Sequence, residues 1–295
     1  MATVAFLGTG VMGVGMAASL MRAGHDLRAY NRTAEKALPL VRAGATIAST
    51  PREAANGADA IFAMVADDEA SEDVWLGHDG ALAADLAPGT ICVECSTLSH
   101  AWVQQLEKAV RADGHAYIDC PVTGYPHMAE AGELTLLVGA DDVELERARP
   151  YLDTLSTGII HFGGVGTGTA YKLMINLMGA VQIAATAEGL AIAEKAGLDR
   201  DTVVDAICKG AAASPQVVRN AGLMATGNFD KDVTFTGALR LKDVRYAMAF
   251  AEAMNMNPPF GSVAADAFST QVEQGWGALS ESKIVDVLAK LTEKS

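Results

Sequence analysis

Cysteine is scarce in this chain, with four residues (Cys92, Cys95, Cys120 and Cys208) among 295. That scarcity excludes a disulfide scaffold, the device of short secreted chains with little core. The run "CVEC" at 92–95 matches Cys-x-x-Cys but lies inside the β-rich stretch "TICVECST", where residues i and i+3 face opposite sides of a sheet. No second cysteine pair or His-x-x-x-His completes a ligand set, so no metal is expected and the thiols read as buried and reduced. Positive charge is also short: 22 Lys and Arg stand against 36 Asp and Glu, a formal net charge of −14. So acidic a chain argues against nucleic acid and anionic membranes as partners. Internal repeats and low-complexity tracts are missing. The N-terminus "MATVAFLGTG" enters a strand-like run with no basic leader or cleavage pattern, so no targeting signal and a cytoplasmic location are expected. Long apolar runs are absent but for "LMINLMGAVQIAATAEGLAIA" at 173–193, which has the length of a membrane span. Its Ala and Gly content, with Asn176, Gln182 and Glu188, instead predicts a soluble helix buried on all sides.

What is present is globular: 50% of residues are apolar and 20% charged. At this length the chain forms one large or two ordinary domains. Its first half alternates strand-like and helix-like runs. "TVAFLG", "HDLRAYN", "ADAIFAMV", "TICVEC" and "HAYIDCPV" are separated by "VMGVGMAASLMRAG", "TAEKALPLVRAG", "DDEASEDVWLG" and "LSHAWVQQLEKAVRADG". "GELTLLVGA" and "GIIHFGG" add two further strands around the helix "DDVELERARPYLDTL". Strands joined by helices imply crossover connections and a mainly parallel sheet. Strand signals all but stop near "HFGGVGTGTA", and the remainder has helical period. The expected organisation is therefore α/β, with a dinucleotide-binding Rossmann domain at 1–164 and an all-α domain at 165–295 joined to it by a long helix. The helical domain is expected to serve the substrate and oligomerisation.

"GTGVMG", from Gly8 through Thr9, Gly10, Val11 and Met12 to Gly13, is Gly-x-Gly-x-x-Gly between the first strand and the first helix. In that context Gly8 permits the turn, Gly10 lets a pyrophosphate approach the backbone, and Gly13 lets the helix close on the sheet. The diphosphate then lies on the helix N-terminus; glycines placed for packing alone are the plainer reading. An acidic residue commonly ends the second strand of such folds and holds the adenosine ribose. Here Asn31 takes that place, followed by Arg32 and Thr33. An arginine with neutral neighbours attracts a 2′-phosphate that a carboxylate would repel, which favours NADP over NAD without excluding NAD. A solvated surface arginine is the alternative. "GTGTAYKLMINLMGA" at 166–180 sets one lysine, Lys172, among apolar residues, with Asn176 one helical turn on. Burying an ammonium group costs several kcal/mol unless it has a use or a partner. A structural pairing with a buried carboxylate would also satisfy it.

These motifs, together with "ECSTLS" (94–99), "DCPVTG" (119–124) and "LRLKDVRYAM" (239–248), occur in an order that resembles the β-hydroxyacid dehydrogenases. That family includes 3-hydroxyisobutyrate dehydrogenases and tartronate-semialdehyde reductases, and the resemblance runs nearly the whole length. It implies hydride transfer between a nicotinamide and a short β-hydroxy acid or its semialdehyde or keto form. Lys172 would be the catalytic acid/base, a role suited by the depressed pKa of a lysine in an apolar cleft between the domains. Asn176 would bind substrate or orient Lys172. Met64, Val65, Ala66, Ser96 and Thr97 would run beside the cofactor. Lys242 would reach its nicotinamide end, though as a surface lysine it would need no explanation. Thr123, Gly124 and Tyr125 replace the family's Ser-Gly-Gly, a loop that grips the substrate carboxylate. Tyr125 is the departure there, followed by Pro126 and by His127, a substrate contact or a solvated loop histidine. "GWGALSESK" departs from the family's usual acidic and Ser/Ala pattern near the end. A homodimer or homotetramer is implied. Two alternatives remain at this point: an imine reductase of the same plan, which typically lacks the lysine, and a non-catalytic dinucleotide-binding regulator.

Overall fold

Apolar residues in the first half alternate between the two faces of a sheet that helices cover on both sides. In the computed structural model, which describes residues 1–291, nine strands form that sheet. They are β1 (Thr3–Leu7), β2 (Asp26–Tyr30), β3 (Thr46–Ile47), β4 (Ala60–Ala63), β5 (Ile91–Glu94), β6 (Ala116–Asp119), β7 (Val122–Thr123), β8 (Leu134–Gly139) and β9 (Ser156–Gly163). The order is β3-β2-β1-β4-β5-β6-β8-β7, with β9 on β8. From β3 to β6 every pairing is parallel; β8 runs antiparallel to β6 and β7 and parallel to β9. The fully buried runs of β4, β5 and β6 are what a parallel sheet covered on both faces requires. Phe6 and Phe62 stack on one face with ring centroids 6.2 Å apart, while Trp75 and Tyr117 fill the other. Cys92 and Cys95 lie in opposite cores, and all four cysteines are free.

The helices of this part are α1 (Gly13–Arg22), α2 (Leu38–Arg42), α3 (Pro51–Ala55), α4 (Asp68–Leu76), α5 (His100–Ala112), α6 (Pro126–Ala131) and α7 (Asp142–Leu152). Side-chain caps fix three starts: Thr50 accepts from Glu53 N ahead of α3, Asp67 from Ala70 N ahead of α4, and Ser99 from Trp102 N ahead of α5. The run "TAEKALPLVRAG", read above as one helix, is a 3₁₀ turn over Ala34–Ala37 followed by α2. Pro39 explains the break, since it has no N–H to continue a helix and so starts a new one. Pro121 likewise separates β6 from β7 within "HAYIDCPV".

Strand order reverses between β1 and β4, so crevices open at the carboxyl ends of these strands, where α/β sheets bind ligands. This is a Rossmann-type α/β fold, followed by an all-α part. The long helix α8 (Thr167–Lys195) begins it, and α9 (Arg200–Lys209), α10 (Pro215–Thr226), α11 (Gly237–Ala253), α12 (Pro259–Gln271) and α13 (Ile284–Leu291) follow. Contacts divide the chain into a unit of residues Met1–Lys172 and a second from Leu173 onward. The second packs around Ala180, Ile183 and Ala187 of α8 with Val244, Phe268 and Ile284. Contact is tight at Gly261, where an added Cβ would lie 2.9 Å from Leu177 Cδ1.

Helix α8 has the length and apolarity of a membrane span, but it is not buried on all sides as its composition predicted. Met174, Met178 and Ile192 are 47%, 54% and 63% exposed. Leu173, Ala180 and Ala187 recur every seven residues and form the buried stripe. The other face leaves Met174, Met178 and Ile192 about half exposed or more.

Candidate active site

The glycine loop after β1 is shaped by contacts that differ at each glycine. Gly8 has φ +98°, and a Cβ there would lie 2.3 Å from Met64 O. A Cβ on Gly13 would lie 2.0 Å from Gly8 O, so helix α1 closes on the loop only because Gly13 has none. Over Gly10 there is nothing within 4 Å, which leaves its backbone open to a ligand. No side chain caps α1, and Val11 is exposed beside its first turn. Thr9 Oγ1 is buried without a hydrogen-bond partner among the described residues. An open glycine, an uncapped helix N-terminus and an orphaned hydroxyl fit a diphosphate.

Asn31 orders this loop rather than merely following it. Its Oδ1 accepts from Thr9 N at 2.8 Å and its Nδ2 donates to Thr33 O at 2.8 Å. Arg32 and Thr33 are exposed beside it, and Arg32 forms no ion pair among the described residues.

The loops after β4 and β5 are fastened by a carboxylate that the motif reading did not single out. Glu94, at the end of β5, is fully buried. Its Oε2 accepts from Ser71 Oγ at 2.8 Å and Trp75 Nε1 at 2.9 Å, and its Oε1 from Ser96 N at 2.9 Å. Trp102 Nε1 in turn donates to Ser71 Oγ at 2.9 Å. Ser96 Oγ accepts from Val65 N at 2.8 Å. Glu94 therefore holds Ser96, and Ser96 holds the Met64–Ala66 segment. Burial raises the pKa of Glu94 although these donors pull it down. Ser96 is itself 1% exposed, whereas Ala66 and Thr97 are open to solvent wholly or in part. The structure thus brings Gly8–Gly13, Asn31, Met64–Ala66 and Ser96–Thr97 together at adjoining carboxyl ends of β1, β2, β4 and β5.

Strand β7 and the start of α8 form the second cluster of the same unit. Thr123 pairs with Thr135 of β8, and Gly124 follows with φ +143°. A Cβ on Gly124 would lie 2.7 Å from Leu134 Cδ2, which would have to shift, and the positive φ itself disfavours any other residue. Tyr125 precedes α6, is 37% exposed and stacks on His127 with ring centroids 5.8 Å apart. Lys172 Nζ donates to Val122 O at 2.8 Å, which sets its amine beside the Thr123–Tyr125 segment.

In the second unit, Asn176 is 8% exposed and its Nδ2 donates to Asp243 Oδ2 at 2.6 Å. Lys242 Nζ lies 3.1 Å from Asp243 Oδ1 and 5.2 Å from the centre of the Tyr246 ring. Asp243 fixes both family-implied residues, a role that nothing in the charged run "LRLKDVRYAM" set apart. Arg240 Nη1 donates to Asn176 O at 3.1 Å, and its Nε meets Glu281 Oε2 at 2.7 Å. Glu281, from the divergent "GWGALSESK" segment, is completely buried and also binds Arg219 Nη1 at 2.7 Å. Within this unit the segment supports the helices.

A dinucleotide-type loop on a Rossmann sheet, followed by an α-helical part with a lysine near its start, defines a nicotinamide-dependent oxidoreductase class. Comparison with known proteins narrows it. Residues 3–164 match the model of the NAD-binding domain of 6-phosphogluconate dehydrogenase, and residues 166–288 match that of the NAD-binding region of NADP-dependent 3-hydroxyisobutyrate dehydrogenase. The chain is 32% identical over 286 residues to glyoxylate/succinic semialdehyde reductase 2, chloroplastic, of Arabidopsis thaliana (97% of this chain, 79% of the relative). It is 33% identical over 285 residues to the NAD-dependent L-serine dehydrogenase of Pseudomonas aeruginosa, covering 94% of each. A 3-hydroxyisobutyrate dehydrogenase structure from Salmonella typhimurium superposes with TM-score 0.88 at 26% identity, covering 96% of this chain and 99% of that one. The chain belongs to the β-hydroxyacid dehydrogenase family. It is a hydroxyacid dehydrogenase that uses a nicotinamide dinucleotide.

Proposed function

We propose that this enzyme interconverts a short β-hydroxy acid and its semialdehyde or keto form, with NADP as the preferred cofactor and Lys172 as acid/base. The observation that carries the reading is the placement of Lys172: its Nζ rests on Val122 O, beside the Thr123–Gly124 backbone. When bound, the nicotinamide supplies or accepts the hydride. The residues of the chain do the rest. Thr123 and the open backbone at Gly124 grip the substrate carboxylate, and Tyr125 limits what fits beside it. In reduction Lys172 Nζ gives a proton to the carbonyl oxygen as that oxygen takes on negative charge; in oxidation the neutral amine removes the hydroxyl proton. Val122 O orients the amine, and Asn176, itself held by Asp243, donates to substrate or lysine. Arg32, exposed beside Asn31 and Thr33, receives the adenosine 2′-phosphate. Lys242 serves the nicotinamide end.

This reading includes a cytoplasmic homodimer or homotetramer without nucleic-acid or membrane partners. Its support is the apolar surface of the second unit, where Phe260 and Val263 are 75% and 67% exposed.

The test is steady-state turnover of a panel: glyoxylate, succinic semialdehyde, 2-hydroxy-3-oxopropionate, 3-hydroxyisobutyrate, L-serine and a cyclic imine, each with both cofactors. Saturable turnover of a short hydroxy acid or semialdehyde, with higher kcat/KM for NADP(H), supports the proposal. Turnover of the imine alone, or of nothing despite cofactor binding, contradicts it.

A further inference from the structure

Asp119 ends β6 with its side chain completely buried, and none of the motif roles above uses it. The carboxylate faces the start of α8. Its Oδ2 accepts from Gly166 N at 3.1 Å and from Thr169 N at 2.9 Å, and its Oδ1 accepts from Thr169 Oγ1 at 2.6 Å. The first N–H groups of a helix have no intrahelical partner, and its positive end favours an anion. A side chain cap ordinarily comes from the residue just before the helix. Here Gly166 is in that place, and a Cβ on it would collide with Gln104 Nε2 at 2.6 Å and His100 Nε2 at 2.8 Å. The cap therefore comes from 50 residues earlier in the chain.

The same stretch of chain holds the lysine. Three residues past Asp119, the carbonyl of Val122 takes the Nζ of Lys172. Three residues past Thr169, Lys172 leaves the same side of the helix. The segment 119–122 thus grips α8 at the cap and at the amine. Backbone packing completes the seat, since a Cβ on Gly168 would lie 2.3 Å from Leu137 O and one on Gly139 2.9 Å from Gly168 N. With the helix start pressed onto β8, its remaining freedom is rotation and sliding of the first turn, which the three bonds to Asp119 oppose.

We propose that Asp119 and Thr169 are positioning residues for the reaction: they fix the first turn of α8 so that the Lys172 amine is presented at one height and angle beside Thr123 and Gly124. The inference rests on the reading of Lys172 as acid/base. Neither residue touches the reacting atoms; each acts through the lysine. Their loss should lower kcat by misplacing a proton donor while leaving the affinities for cofactor and substrate, set elsewhere, in place.

The test uses the full-length Thr169→Val, Thr169→Ser and Asp119→Asn variants. Thr169→Val keeps the shape and removes only the hydroxyl, and Thr169→Ser returns it. Lys172 reactivity is read by trace acetylation with acetic anhydride and mass spectrometry, NADPH affinity by fluorescence titration, and kcat and KM with the most active compound of the panel. Expected for Thr169→Val are an acetylation rate at Lys172 changed about threefold or more and a kcat lowered about tenfold. KM and the NADPH Kd stay within about twofold, Thr169→Ser returns to wild type, and Asp119→Asn shows a larger loss of the same pattern. An unchanged kcat in a variant with wild-type Tm overturns the proposal, as does a joint loss of kcat and NADPH affinity or a Thr169→Ser as impaired as the valine. Should Thr169→Val fail to fold, Asp119→Asn is judged by the same criteria. Lys172→Ala separates the two ideas. If it stays active the acid/base reading fails, whereas if it is inactive and Thr169→Val is not, only the positioning role fails.

Discussion

At Arg32 a single side chain is proposed to set the nucleotide preference. It is exposed beside Asn31 and Thr33, and Asn31 is spent on holding Thr9 and Thr33 in place. One charge-assisted bond to a 2′-phosphate is worth about 1.5–3 kcal/mol, or roughly 10- to 150-fold in affinity. Arg32→Ala should weaken NADPH by that order and leave NADH nearly unchanged in a fluorescence titration; equal losses for both would exclude the assignment. The glycine loop was legible because its chemistry is local: three glycines at fixed spacing between a strand and a helix. Glu94, Asp119 and Asp243 were not. Glu94 and Asp119 are acids inside apolar strand runs, the same signal that drew attention to Lys172, whereas Asp243 sits among Arg240, Lys242 and Arg245. What each satisfies (Ser71 and Trp75, Gly166 and Thr169, or Asn176) lies far along the chain and no spacing rule reaches it.

At the level of elements, β5 and β6 end in Glu94 and Asp119, which are register partners on one side of the sheet. Burial raises both pKa values, that of Asp119 to about 7 even though Thr169 and Gly166 donate to it, and the charge on Glu94 adds to the rise. A carboxyl whose pKa is higher folded than unfolded takes up a proton on folding between those two values. Its charged form costs stability at high pH, and the cost is relieved as pH falls from about 7 toward the ordinary aspartate value of 3.8. Against the opposing slope of His25 and His100, whose pKa values burial lowers, Asp119 should therefore give wild type a downward stability slope in urea from pH 6 to pH 8, on the order of 1 kcal/mol. Asp119→Asn should flatten that slope, and an unchanged slope would mean that Asp119 stays ionised throughout. Strand and helix identities were readable from apolar period. The exceptions were β3, β7, α3 and α6, of two to six residues each, too short to show a period. Pro39 and Pro121 split runs that the apolar pattern alone had joined.

At the scale of the whole molecule, the chain carries a formal net charge of −14 and exposes apolar side chains on its second unit. The all-round apolar composition of α8 suggested complete burial, but the helices of its unit cover one stripe and leave Met174, Met178 and Ile192 outside. Composition registers apolar residues without registering which of them find neighbours. The glycine loop and Lys172 belong to one unit and Asn176 and Lys242 to the other, and the proposed reaction turns on the Lys172 amine. Turnover of Lys172→Ala under saturating NADPH and substrate, with cofactor Kd measured alongside, tests that centre most directly. The account predicts an NADPH Kd within about twofold of wild type and a kcat lower by about two to four orders of magnitude, the scale of a positioned acid/base. A variant that keeps more than roughly a tenth of wild-type kcat would contradict it.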